Sequence, residues 1–135
     1  MNTINRTIPN ATAWALDILP SYIECLIWCS PPIPDENGED QEADSYDAEL
    51  SPEDRAKALE MIANFLYLAG PDDLADIPDE MIGHDIALTQ NHHGAGFWDR
   101  NYGEKGKRLT EHAHSLGSWQ CVGITPDGKH YYVEG

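Results

Sequence analysis

The chain has 135 residues and a formal net charge of −16, from 24 Asp and Glu against 8 Lys and Arg. That length fits one domain over 1–135, large enough to bury about two-thirds of its unfolded surface without a disulfide or a metal to hold it. The charge predicts repulsion from nucleic acid and anionic membranes and attraction to basic surfaces, which excludes direct nucleic-acid and membrane partners.

No stretch approaches the roughly 18 consecutive apolar residues of a membrane span, and no N-terminal run reads as a signal peptide. Cys25, Cys29 and Cys121 are an odd number without paired spacing, so free thiols in a reducing cytoplasm are expected.

Residues 1–11 read as a flexible arm. Thr12 is a candidate cap for a short helical turn over 13–18. Pro20 suits the first turn of a second helix over 20–29, where its missing N–H is not needed. Tyr22, Ile23, Leu26 and Ile27 share one face of it, and Pro31, Pro32 and Pro34 end it.

Residues 30–50 read as an acidic loop rich in proline and glycine. Residues 35–54 hold ten acids and no Lys or Arg. The run Asp35–Asp40 approaches a calcium-loop pattern but lacks its glycine at Asp40 and its glutamate at Tyr46, so no calcium is expected.

Ser51-Pro52-Glu53-Asp54 is the clearest helix start. Ser51 caps, Pro52 takes the first position, and two acids meet the positive end of the dipole. Leu59, Ile62, Ala63, Leu66 and Ala69 recur at helical spacing, and Gly70-Pro71 ends the run. An acidic segment follows over 71–82, with a short helix near Pro78–Ile82.

From His84 the pattern alternates, which predicts a strand over 84–90, a turn at 91–94 and a returning strand over 95–99. A helix over 104–116 follows, with Leu109, Ala113 and Leu116 inward and Gly117 as its stop. Two further strands, 119–124 and 129–133, flank the turn Thr125-Pro126-Asp127-Gly128. The expected class is α+β, with N-terminal helices packed on a C-terminal ββαββ antiparallel sheet over 84–133.

Three segments carry a resemblance. They are Ser21-Tyr22-Ile23-Glu24 with Trp28, the run His84–Asn91, and His93-Gly94-Ala95-Gly96-Phe97-Trp98-Asp99-Arg100 with Gly103 and Leu109-Thr110. Together they resemble a family of small uncharacterised proteins of bacteriophages and other mobile elements, over roughly residues 20–133. The HGAGFWDR-type run is the specific part. Ile86-Ala87 and Gln90 depart from the aromatic pair and the Arg usual there. The resemblance implies a phage-like origin, hence a bacterial host cytoplasm, and no particular chemistry.

Within the motif, His93, Asp99 and Arg100 could form a small catalytic set, since a His beside a carboxylate can act as a base. Without a neighbouring nucleophile, a structural motif is favoured instead. In that reading Gly94 and Gly96 serve a tight turn, Phe97 and Trp98 divide between core and surface, and Asp99 and Arg100 close the strand end by hydrogen bonds. Gly94-Ala95-Gly96 is no dinucleotide fingerprint, because Asp99 stands where a third glycine belongs.

All six histidines follow residue 83. His112 and His114 diverge on a helix, and no paired metal spacing exists, so no metal and no cofactor are expected. The aromatics lack the basic groove that base stacking requires.

The sequence therefore points to a non-enzymatic acidic binding protein. The sharpest form of that reading is an inhibitor or DNA mimic acting on a host nucleic-acid enzyme or defence complex. The alternatives are a phage accessory or structural protein, or a small enzyme using His93, Asp99 and Arg100. The expected contact residues are Asp72, Asp73, Asp76, Asp79 and Glu80, with Trp98 and Tyr102. The partner is expected to be a host or phage protein with a basic surface.

Overall fold

A computed structural model describes residues 6–135. Four long helices make the body: α1 (Ala11–Trp28), α2 (Pro52–Ala69), α4 (Asp79–Gln90) and α5 (Glu104–Ser115), with the short α3 (Pro71–Leu74) between the second and third. Two small antiparallel hairpins complete an α+β fold. One pairs β1 (Ile33–Pro34) with β2 (Asp40–Gln41), and the other pairs β3 (Gln120–Ile124) with β4 (Tyr131–Glu134).

The expected flexible arm is corrected where it is described. Residues 8–10 form a 3-10 turn, and Arg6 donates to the Ile77 carbonyl and pairs with Asp79 at 3.3 Å. The remainder of that expectation, over 1–5, lies outside the described residues.

The two expected helices around Pro20 are one. Trp14, Ala15, Ile18, Leu19, Tyr22, Cys25 and Leu26 are buried along both halves of α1. The carbonyl that Pro20 cannot bond belongs to Leu16, which is exposed, so its loss falls on the solvent side.

The expected strands over 84–99 are overturned, and with them the ββαββ unit. Residues 84–90 continue α4, and Phe97–Asp99 is a 3-10 turn. The physical reason lies in burial. Ile82, Gly83 and residues 85–90 are all buried, so beyond its first turn α4 exposes only part of His84, and the period that identifies a surface helix is missing. Polar Asp85, Thr89 and Gln90 interrupt the apolar run and imitate alternation. Gly83 lets α1 lie against α4: a Cβ there would strike the Ser21 hydroxyl and come within 2.8 Å of the Tyr22 amide nitrogen.

Residues 30–50 are not the loose segment expected. Ile33, Ala43 and Leu50 are buried. The Tyr131 hydroxyl donates to the Ala43 carbonyl at 2.6 Å, and the Tyr46 hydroxyl to the Ile33 carbonyl at 2.8 Å. The Asp35 carboxylate accepts from the Asn37 and Glu39 amides and from Gln41 Nε2 at 2.9, 3.0 and 3.1 Å. Those bonds, the Glu39 amide first, hold the Asp35 carboxyl below the usual carboxylate value. Glu49 extends the second hairpin by a parallel bridge to His130.

Other expectations hold. Ser51 Oγ accepts from the Asp54 amide at 3.1 Å and starts α2. Helix α5 buries Leu109 and Ala113. The turn at 125–128 joins β3 and β4, with Gly128 at φ +74. No described helix is long and apolar enough to cross a membrane.

Candidate functional site

The three buried polar side chains of α4 are each satisfied by a specific partner. The Tyr22 hydroxyl donates to Gln90 Oε1 at 2.7 Å, tying α4 to α1. Thr89 Oγ1 accepts the Phe97 amide at 3.2 Å. Asp85, at 0% exposure, accepts from Arg100: Nη2 at 2.8 Å and Nε at 3.2 Å to each carboxylate oxygen. Asp85 and Thr89 stand one helical turn apart and together grip the motif segment after α4.

The motif is shaped to be gripped. Gly96 has φ +140, and a Cβ there would collide with the Thr89 hydroxyl. Phe97 is fully buried and stacks on Phe65 with ring centroids 5.4 Å apart. Asp99 Oδ1 accepts the Gly96 amide at 3.0 Å, closing the 3-10 turn. Upstream, the His92 and His93 amides donate to the Thr89 and Leu88 carbonyls at 3.1 and 3.0 Å and finish α4. Gly94, at φ +98, turns the chain in open space.

Burial pushes the Asp85 carboxyl above its usual value, and Arg100 pulls it back. The same hydrogen bond pushes the Arg100 guanidinium up. The cause is solvation: Asp85 has lost all its water, while the Arg100 side chain keeps 35% exposure. The bidentate geometry supports an ionised pair at neutral pH, made costly by burial of its acid rather than by weak contact.

Beside this pair lies an open cavity of about 420 Å³, lined by Glu24, Cys25, Trp28, Asp44, His84, Leu88 and Arg100. His84 Nε2 lies 3.7 Å from Glu24 Oε1. The His93 ring packs against exposed Trp28 at 5.2 Å between centroids, tilted by 49°. The hydrogen bond with Cys29, then burial, holds the Cys25 thiol protonated, so it is not an activated nucleophile. Residues from all three segments of the resemblance therefore meet at one place: Glu24 and Trp28, then His84, Asp85 and Leu88, then His93 and Arg100.

The catalytic set considered from sequence is divided among three partners. His93 packs on Trp28, Asp99 binds the Gly96 amide, and Arg100 binds Asp85. The expected bonding of Asp99 to nearby backbone is present, whereas the partner of Arg100 is an acid fifteen residues earlier. Asp85, Glu24 and His84 escaped the sequence reading. The signal available was the i, i+4 spacing of Asp85 and Thr89, visible only once 79–90 is read as a helix.

The five expected contact acids divide. Asp73 is bonded to Arg108, Nε at 2.8 Å and Nη2 at 2.9 Å, which lowers its carboxyl. Asp79 accepts from Trp14 Nε1 at 2.9 Å and pairs with Arg6. Asp72, Asp76 and Glu80 are exposed. Trp98 is 58% exposed, and with the half-buried Tyr102 it lines a shallow depression against Lys107 and Glu111. Among the described residues, no group of three or more His, Cys, Asp or Glu is placed to hold a metal ion.

No family model, curated protein or solved structure matches the chain.

Proposed function

We propose that this is a non-catalytic binding protein whose acidic face engages a basic surface on a nucleic-acid-handling protein and competes there with DNA. The observation that carries the reading is an ordered stretch of exposed acids in which no Lys or Arg closes an ion pair, although Lys129 stands beside Asp47 and Glu49. Glu36, Glu39, Asp40, Glu42, Asp44, Asp47, Glu49 and Glu53 are all exposed. Among the described residues no ion pair joins any of them to a base. The hairpin and its buried anchors Ile33, Ala43 and Leu50 fix the backbone that carries them, so little ordering entropy is lost on binding. Duplex DNA presents one charge per about 1.7 Å of axis, and carboxylates on a fixed backbone can offer a comparable density. The resemblance to phage-encoded proteins favours a host target of this kind.

The test is capture from bacterial lysate at low salt, with elution first by salt and then by duplex DNA. A captured DNA-binding protein, released by both and losing its DNA-binding activity in the complex, supports the reading. A partner held equally at low and high salt, or indifferent to DNA, defeats it.

A further inference from the structure

We propose that the cavity between the end of α1 and the start of α4 is a socket for one arginine side chain of the partner. The inference rests on the reading of the acidic face as the working surface and gives that surface a specific anchor.

Charge points to a cation. Glu24 and Asp44 stand at the cavity as exposed carboxylates, while the one guanidinium there, Arg100, is held in a bidentate bond by the buried Asp85. Three carboxylates against one guanidinium leave the local balance at two negative charges when His84 is neutral. Asp85 also keeps Arg100 from swinging across to neutralise Glu24 or Asp44.

The aromatic residues give an independent indication. Two tryptophans already carry an internal cation: Arg6 lies 5.0 Å from the Trp14 ring and Lys57 lies 5.6 Å from the Trp119 ring. Trp28 is different. It is 57% exposed, it lines the cavity beside two carboxylates, and among the described residues no Lys or Arg lies over its ring. His93 packs against the Trp28 ring and His84 stands 3.7 Å from Glu24, but an exposed indole next to acids that no Lys or Arg pairs is the environment a guanidinium fits, stacking its plane on the ring while its N–H groups reach the carboxylates. Cys25 and Leu88 supply apolar wall for the methylene stem. At about 420 Å³ the space accommodates one long side chain. An arginine suits it better than a lysine, because the ammonium cannot stack and fork at once.

The experiment uses the whole ¹⁵N-labelled chain and reads its four indole N–H signals by NMR, with Trp28→Phe assigning the relevant one. N-acetyl-arginine amide is titrated against N-acetyl-citrulline amide, its uncharged isostere, and against inorganic phosphate. The Trp28 signal moves with the arginine amide and not with citrulline, while Trp14 and Trp119 stay still. Glu24→Gln with Asp44→Asn weakens that binding about fivefold, and Trp28→Ala, followed through the backbone amide signals of Glu24, Leu88 and Asp44 at the cavity, abolishes it. An unmoved Trp28 signal, an equal response to citrulline, or a larger response to phosphate overturns the socket. A hexa-arginine peptide separates the two proposals. Binding at low salt without a Trp28 response leaves the acidic face standing and removes the socket. Absence of any binding removes the acidic face, and the arginine-amide titration then still decides the socket by itself.

Discussion

Residues 35–54 and 72–85 are both rich in acids, yet the two stretches use them in opposite ways. In the later stretch Asp73, Asp79 and Asp85 turn toward Arg108, Arg6 and Arg100. In the earlier one no acid has an ion-pair partner among the described residues. Carboxylates hold a fold together where the chain returns an arginine to them, and remain available to a partner where it does not. Local acid density carries none of that information, because the deciding arginines lie 15, 35 and 73 residues away along the chain.

The largest test of the contrast removes Arg100. Arg100→Met leaves Asp85 buried without its partner and is expected to cost about 3 kcal/mol of stability at neutral pH. Burial alone then raises the Asp85 carboxyl further. Stability attached to a raised carboxyl increases as pH falls through its folded value, so the deficit of the variant narrows in acid. Urea melts at neutral and acidic pH measure both effects, and a deficit that is small or independent of pH would mean that the pair is not ionised. By contrast, Asp44→Asn in the earlier stretch should change stability by less than about 0.5 kcal/mol.

Next in size is binding. Neutralising Glu36, Glu39, Asp40, Glu42 and Asp44 together should weaken a basic partner by about tenfold, or about 1.4 kcal/mol. Neutralising Asp72, Asp73, Asp76, Asp79 and Glu80 should do less. The sequence favours the opposite order, since it presents 35–49 as a loose loop. The bonds from Asn37, Glu39 and Gln41 onto Asp35 remove that premise. Affinities of the two fivefold variants, compared at one ionic strength, decide the matter.

What the sequence makes legible follows the same division between local and distant causes. The Ser51 cap, helix α5 and the 120–134 hairpin are fixed by neighbours within a few residues, and all three are readable. Helix α4 is not, because after its first turn burial on nearly every side hides its phase and its buried polar residues answer to Tyr22, Phe97 and Arg100. The cavity at Trp28 is unreadable for the same reason: Glu24, Asp44, His84 and Arg100 come from four separate stretches. The glycine of the motif was expected at a turn, and Gly96 does turn the chain, but its stricter requirement is the Thr89 hydroxyl against it. Gly96→Ala is therefore expected to cost about 2 kcal/mol, and Thr89→Ala beside it should recover part of that loss.

Smaller still is Asp99→Ala. Asp99 is exposed and caps one backbone amide, so the loss is that of a surface cap, about 0.5–1 kcal/mol. A larger loss in thermal melts would show that the motif turn is held by this carboxylate rather than by Thr89 and Phe97.

The smallest effect belongs to Asp73 and Arg108, and it sharpens the comparison through pH. The hydrogen bond from Arg108 holds the Asp73 carboxyl below its ordinary value of 3.8. A lowered carboxyl contributes stability that is present above the unfolded value and disappears as pH falls through the folded one. Asp73→Asn should therefore melt slightly below the wild type at neutral pH, and the gap should close as pH drops below 3.8. Half of the Arg108 side chain is exposed, so added salt should shrink the same gap. Asp85 responds in the opposite sense and in a different range, its raised carboxyl gaining stability as pH falls toward 3.8, above the range where Asp73 loses it. The two inward-turned acids thus differ in sign as well as in size: one sits where water still reaches its arginine, the other where water reaches the acid not at all. A Tm gap for Asp73→Asn that persists in acid and in high salt would show that the side chain acts through packing, and would remove Asp73 from the acids held by charge.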